Sequence, residues 1–295
     1  MREVTMIRKI IILTLCLLAA GRLVSAEQKK FVELISYKKS LDVSKVGPHD
    51  EVWKAVTPYK QPLQRQSLVF PKPADVSVKE VLIQSVNDGK HIAFRLSWKD
   101  ATLDDGIKIM NFSDSAAIQF PVKKDPLPKD FMGEPKKPVH ILHWRAWRSR
   151  DKKDGFQTVK TAYPNMTNDM YVFDYTVKGT RTEKTQAEKD IFIPGKAAGN
   201  PLSFDHKEII EELSAEGAGT LTSKKGIENT TGEAVWKNGE WIVVFRRPLI
   251  VSDNESVQFK TGEKMPIAFA VWDGSKNESA GRKAVSPAWA EIEVK

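Results

Sequence analysis

The 295-residue chain carries a single cysteine, Cys16, and it lies inside an N-terminal apolar run. A body without a thiol has no disulfide, no cysteine-ligated zinc, no iron-sulfur cluster, no thiolate nucleophile and no Cys-x-x-Cys-His haem attachment. Hydrolytic and nucleotide signatures are missing as well. There is no Gly-x-Ser-x-Gly elbow, no His-Glu-x-x-His pair, no Walker loop and no dinucleotide fingerprint. The five histidines, His49, His91, His140, His143 and His206, are scattered. His140 and His143 stand three apart on an expected strand, so they point to opposite faces and do not readily share one metal. Acidic pairs such as Asp104-Asp105 read as solvated loop. Beyond the N-terminus no apolar run approaches the roughly 20 residues of a bilayer-spanning helix, so no membrane span is expected.

What is present begins with a leader. Arg2 to Lys9 form a basic stretch, Ile10 to Ala20 an apolar core, and Val24-Ser25-Ala26 a small-residue cleavage site. That pattern predicts a cleaved secretory signal peptide over 1–26 and one domain over 27–295. The mature protein is expected to be exported and soluble, and periplasmic in a double-membraned bacterium. The formal charge of +8 falls to +5 once Arg2, Arg8, Lys9, Arg22 and Glu3 leave with the leader. The excess is scattered among acids, and with no recognisable motif it predicts no nucleic-acid partner. A basic face does suit an acidic redox partner, because complementary fields speed encounter.

Short alternating runs separated by turn residues dominate the rest. Lys79 to Trp98 reads as a hairpin about Asn87-Asp88-Gly89 with one buried face, since Ile92, Phe94, Leu96 and Trp98 alternate with His91, Ala93, Arg95 and Ser97. A second hairpin runs from Glu233 to Arg246 about Asn238-Gly239, which supplies the two positive-φ positions of a tight turn. Further strands fit Ser115 to Val122, Val139 to Trp147, Pro266 to Trp272 and Ala288 to Val294. A helix is expected over Phe204 to Leu213, with Asp205 as its cap and Ile209, Ile210 and Leu213 on one face. Polar insertions fill Arg148 to Lys160 and Lys178 to Asn200. The expected class is all-β: an immunoglobulin-like β-sandwich with long loops and one short helix.

A set of local phrases follows the same order along the chain. It opens with Trp98-Lys99-Asp100, Thr102, Asp104 and the run Asp114 to Pro121. Phe131-Met132-Gly133, Pro138 to Ala146, Tyr163-Pro164-Asn165-Met166 and Glu216 to Thr222 come next. Trp236 to Trp241, Arg246-Arg247-Pro248-Leu249, Ala268 to Gly274 and Gly281 to Ser286 close it. Together these resemble the haem b-binding γ-subunit of the type II dimethyl sulfoxide reductase family of molybdoenzymes. That group includes the γ-subunits of ethylbenzene dehydrogenase, dimethyl sulfide dehydrogenase, selenate reductase, chlorate reductase and some nitrite oxidoreductases. The resemblance spans roughly residues 45 to 295, and its specificity lies in the ordered set.

The resemblance implies one non-covalent haem b with a methionine and a lysine as axial ligands to its iron. Carried over by phrase, they fall on Met132 and Lys283; Met166 and Met170 are rival thioethers, and Lys276 a rival amine. A thioether is a soft neutral ligand that raises the potential, whereas an amine binds only after losing its proton. Lysine titrates at about pH 10.4 in water, so burial and the iron's charge must hold Lys283 neutral. Two protein ligands leave no open iron position. The expectation is therefore a non-catalytic electron-transfer subunit of a periplasmic oxidoreductase complex, such as nitrite oxidoreductase or a related oxyanion reductase. Its implied partners are an iron-sulfur β-subunit, a molybdopterin α-subunit and a soluble cytochrome or similar carrier. The residues by themselves leave open a secreted carbohydrate-binding sandwich without haem, its exposed tryptophans forming a sugar platform. Arg145, Arg246 and Arg247 are candidates to pair a haem propionate.

Overall fold

The computed structural model describes residues 33–106, 108–165, 173–175, 181–183, 193–198, 200, 203–204, 206–224 and 229–295. The expected leader, Met166, Met170 and Asp205 lie outside the described residues. In chain order the first strands are β1 (Leu34–Lys38), β2 (Tyr59–Pro62), β3 (Gln64–Arg65), β4 (Glu80–Asn87), β5 (His91–Lys99), β6 (Ser115–Pro121), β7 (Val139–Arg145) and β8 (Phe173–Tyr175). They continue with β9 (Arg181–Glu183), β10 (Ile210–Ala215), β11 (Thr222–Ser223), β12 (Thr231–Trp236), β13 (Glu240–Pro248), β14 (Lys264–Trp272), β15 (Ala284–Val285) and β16 (Ala290–Val294). One helix among the described residues is longer than a single turn, α1 (Ala146–Asp154). No helix among them is long and apolar enough to cross a membrane.

These strands form the β-sandwich that the alternating pattern predicts. One sheet runs β12-β13-β5-β4, then β1, β16 and the first half of β14, with β2 alongside β4. The other runs β11-β10-β7-β6, then the second half of β14, with β15 and β3 beyond. β14 belongs to both: Lys264 to Ile267 pair with β16, and Ala268 to Trp272 pair with β6. A strand that changes sheets in this way makes a corner of the sandwich. Both expected hairpins form, β4 with β5 and β12 with β13, and Asn238 and Gly239 have φ of 55° and 72°.

Inward-facing side chains of the two sheets meet in two aromatic groups. Phe94 of β5 and Phe120 of β6 lie 5.6 Å apart, and both pack on Phe259. Trp98, Trp144 and Trp241 form the second group, with centroids 4.7 to 6.5 Å apart. Each such side chain contributes about 1.5–3 kcal/mol by leaving water.

Three expectations are corrected. Residues 210–215 are strand, not helix. Ile210 faces the core and Leu213 the opposite side, while Glu211 is buried through ion pairs to Arg145 and Arg148 and Glu212 through a hydrogen bond from His140. Two buried carboxylates in a strand disguise its alternation as a helical stripe. The strand expected over Val139 to Trp147 ends at Arg145, and α1 starts at Ala146 and runs into the stretch from Arg148 expected to be a polar insertion. Arg148 and Asp151, three apart on one face, are buried, as is Ala146 at the start, and Gly155 at φ 91° ends the helix. Finally, the hairpin of β4 and β5 is buried on both faces. Val43, Val46, Trp53 and Val56 cover the second face and bury Val86 and Ala93.

His140 is fully buried in the core. Its Nδ1 accepts from Val257 N at 3.3 Å, so Nε2 carries the proton donated to Glu212 at 3.0 Å. Burial lowers its pKa from 6.5 to about 4. The unfolded imidazole gains a proton that the folded one refuses, so stability is full above about pH 6.5 and lost as pH falls toward 4. Between pH 7 and 4.5 the parent's urea midpoint should fall relative to that of His140→Gln, because only the parent carries the refused proton.

Candidate functional site

The outward face of the second sheet is floored by small residues. On β6, Ala116, Ile118 and Phe120 point into the core, which leaves Ser115, Ala117 and Gln119 outside. On β14 the outward positions are Ala268, Ala270 and Trp272. Ile141 and His143 of β7 and Leu213 of β10 continue the floor. Above this low floor lies a cavity of about 950 Å³, walled by parts of the loops 66–71, 111–113, 130–132, 218–221 and 278–287. That is near the upper end of ordinary ligand pockets, about 300–1,000 Å³.

Met132 and Lys283 come together here. They are 151 positions apart in sequence, yet Lys283 Nζ lies 3.9 Å from Met132 Sδ. Met132 is set by a left-handed turn, with φ 59° at Met132 and 76° at Gly133. Its carbonyl accepts from Gly217 N at 2.7 Å. A Cβ on Gly133 would stand 2.8 Å from the Lys137 carbonyl oxygen and 3.0 Å from that of Ala215, so only glycine fits. Lys283 is positioned by its carbonyl, which accepts from Gln66 N at 3.0 Å. The Gln66 side chain is itself buried; its Nε2 donates to Gly281 O and to Val69 O, each at 2.8 Å.

Lys283 is only 9% exposed. No ion pair to it is formed among the described residues, and its Nζ lies 5.0 Å from the centre of the Trp272 ring. Burial lowers its pKa from 10.5 to about 8, because an ammonium in an apolar wall lacks hydration. His143 packs on the same indole at 5.1 Å, and its Nε2 has no hydrogen-bond partner. Burial, then the charges of Arg145, Lys283 and Arg148, hold His143 well below its usual pKa. His140 points the other way, into the core, as the three-residue spacing predicts.

An amine that loses its proton easily and a thioether facing it make a donor set for a borderline or soft transition metal. Metal-to-sulfur and metal-to-amine bonds of about 2.3 and 2.0 Å sum to roughly 4.3 Å, a few tenths beyond the present separation. The residues therefore fit a metal held between them, and the apolar cavity fits a large flat group around it.

Of the other sequence candidates, Lys276 is exposed on the turn Gly274–Lys276 and does not line the cavity. Arg145 borders the cavity, paired to Glu211. Arg246 bonds the Val46 carbonyl and Arg247 that of Val257, so neither reaches the cavity. Trp147 and Trp272 line it. Sequence reading missed His143 as a cavity residue and Gln66 as the brace of Lys283. The signal available for the first was the outward register of small residues on β6.

Gly133→Ala should lower stability by about 1–3 kcal/mol through strain and the two carbonyl contacts, measured by thermal melting. The variant should also weaken whatever the cavity binds, because Met132 moves with the turn.

The chain matches the ethylbenzene dehydrogenase family over residues 50–284. It is 27% identical over 242 residues to a candidate respiratory nitrate reductase heme subunit of Haloferax mediterranei, covering 81% of this chain and 65% of that one. It thus spans just under two thirds of that relative's length. It is 26% identical over 253 residues to the chlorate reductase subunit gamma of Ideonella dechloratans, covering 83% of this chain and 78% of that one. Among solved structures, a candidate carbohydrate-binding protein of Bacteroides uniformis superposes with a TM-score of 0.43 and 10% identity, covering 89% of this chain and 99% of that one.

Proposed function

Because the chain belongs to the ethylbenzene dehydrogenase family, as its resemblance to γ-subunits of the type II dimethyl sulfoxide reductase family led one to expect, we propose that it carries one non-covalent haem b and transfers electrons. In this reading it is an exported, non-catalytic subunit of a molybdenum oxidoreductase complex. It relays electrons between an iron-sulfur subunit and a soluble cytochrome or similar carrier. The observation that carries the reading is the facing of Met132 Sδ and Lys283 Nζ at 3.9 Å inside an apolar cavity. The names of the relatives, a heme subunit and a reductase gamma subunit, agree with it. The basic, apolar and small-residue order of the first 26 residues supports export.

Met132 and Lys283 are the residues that would hold the haem iron. When bound, the haem supplies one-electron chemistry. The chain's residues do the rest. Lys283 presents a neutral amine, and burial lowers the cost of removing its proton. Met132 supplies a neutral soft donor that favours the reduced metal and raises its potential. With both residues used as ligands, no position would be left for a small molecule, so the subunit would relay charge and leave substrate chemistry to its partner. Trp272 and the alanines of β6 and β14 supply the apolar surface a porphyrin plane needs, and the Trp272 ring lies beneath the Lys283 Nζ.

Purified protein supplemented with haem should give a low-spin spectrum and a b-type pyridine haemochrome. Lys283→Ala should abolish the low-spin signal or lose the haem. Met132→His should keep a low-spin haem and drop its reduction potential by on the order of 0.1 V, within the roughly 0.8 V that axial ligation spans. A folded chain that stays colourless after supplementation would sink the proposal.

A further inference from the structure

Three carboxylates gather outside the cavity that holds Met132 and Lys283. Asp100 follows β5, Asp114 precedes β6 and Asp273 follows β14, and each offers an oxygen within 4.8 Å of the other two. All are buried: Asp114 is 0% exposed, Asp100 5% and Asp273 8%. Two further acids adjoin them. Asp104 N donates to Asp114 Oδ2 at 2.9 Å, and Glu278 accepts from Asp273 N at 2.9 Å. The basic groups near them in sequence are engaged elsewhere, Lys99 with Glu240 and Arg150 with Asp105. Lys276 is exposed and forms no ion pair with these acids among the described residues.

The donors around the cluster are unevenly shared. Asp114 is well served: Oδ1 accepts from Gly274 N at 2.8 Å, and Oδ2 accepts from Asp104 N and Trp241 Nε1, each at 2.9 Å. Asp273 Oδ1 accepts from Ser275 Oγ at 2.7 Å. Asp100 Oδ1 accepts from Thr102 N at 3.2 Å; its Oδ2 makes no well-formed hydrogen bond although the residue is almost wholly buried, and the indole N–H of Trp98, which neighbours this carboxylate, is likewise unpartnered. An orphan carboxylate oxygen inside a cluster with no balancing cation is costly. Burial, reinforced by the neighbouring acids, raises Asp114 to about 7 and Asp100 to about 6.

We propose that Asp100, Asp114 and Asp273 bind one hard divalent cation, calcium in preference to magnesium. The donors are all oxygen, the class that hard cations take. Calcium bonds of about 2.3–2.6 Å put two ligands of one ion no more than roughly 5 Å apart, which encloses the observed spread. The three ligands come from three separate segments and form an irregular set. Calcium accepts irregular coordination, whereas magnesium demands an octahedron and keeps its waters. The bound ion would tie the end of β5 to the start of β6 and the end of β14. The last of these opens the loop that runs on to Lys283, so the ion also braces one wall of the cavity.

The test uses the purified full chain stripped with a chelator. Calcium at about a hundredfold excess over its dissociation constant should raise the melting temperature by on the order of 5–10 °C, with magnesium far less effective. Terbium should bind and emit when tryptophan is excited, since Trp241 donates directly to Asp114, and calcium should quench that emission by displacement. Asp100→Asn and Asp273→Asn should lose the emission while keeping the far-ultraviolet circular dichroism of the parent. Should either fail to fold, the parent alone decides. As pH falls from about 8 to 5 the calcium-free chain should gain stability relative to the calcium-loaded one, because the raised carboxyl groups take up protons only when the ion is absent. A melting temperature indifferent to calcium and chelator at every pH would mean that the cluster holds shared protons and would overturn the proposal.

Discussion

An ammonium group buried without a carboxylate is the constraint around which the site is organised. Lys283 is held in an apolar wall against Trp272, with only a thioether before it. Every other feature of the cavity serves that arrangement. Gln66 fixes the backbone of Lys283, and the left-handed turn at Met132 and Gly133 aims the sulfur. The small outward residues of β6 and β14 leave the volume in front of them. A lysine in such surroundings is destabilising by itself, and its retention is intelligible where the amine is used as a neutral donor.

β14 ties the parts together. Its first half closes one sheet and its second half lies at the middle of the other, so the corner of the sandwich is rigid where the cavity begins. Its final residue, Trp272, lines the cavity, and the next, Asp273, belongs to the acidic cluster. The segment from 273 to 283 thus leaves one buried group of acids and arrives at the buried amine. Core, cavity and cluster share one continuous stretch of backbone, which makes the position of Lys283 depend on packing far from it.

Strands were legible where one side of the sheet is apolar and the turn residues are explicit, as in β12 and β13 about Asn238-Gly239. They were illegible where charge is buried. Glu211 and Glu212 are polar by composition and interior by structure, because Arg145, Arg148 and His140 meet them from β7 and α1. Asp100 and Asp114 enter the sequence reading only as members of the ordered phrases, with no sign that they are among the most buried polar residues of the described chain. Met132 and Lys283 came from a family resemblance alone; composition gives no reason to choose them over Met166, Met170 or Lys276.

Local pattern therefore determined the class of fold, its two hairpins and the family to which the chain belongs. These follow from periodicity, turn residues and ordered phrases, which are properties of neighbours in sequence. Tertiary structure decided that the cavity lies on the outer face of one sheet and that Met132 meets Lys283. It also decided that three distant aspartates share one buried place. Such meetings depend on strand order and on which faces are covered, and residues 151 positions apart carry no local trace of them.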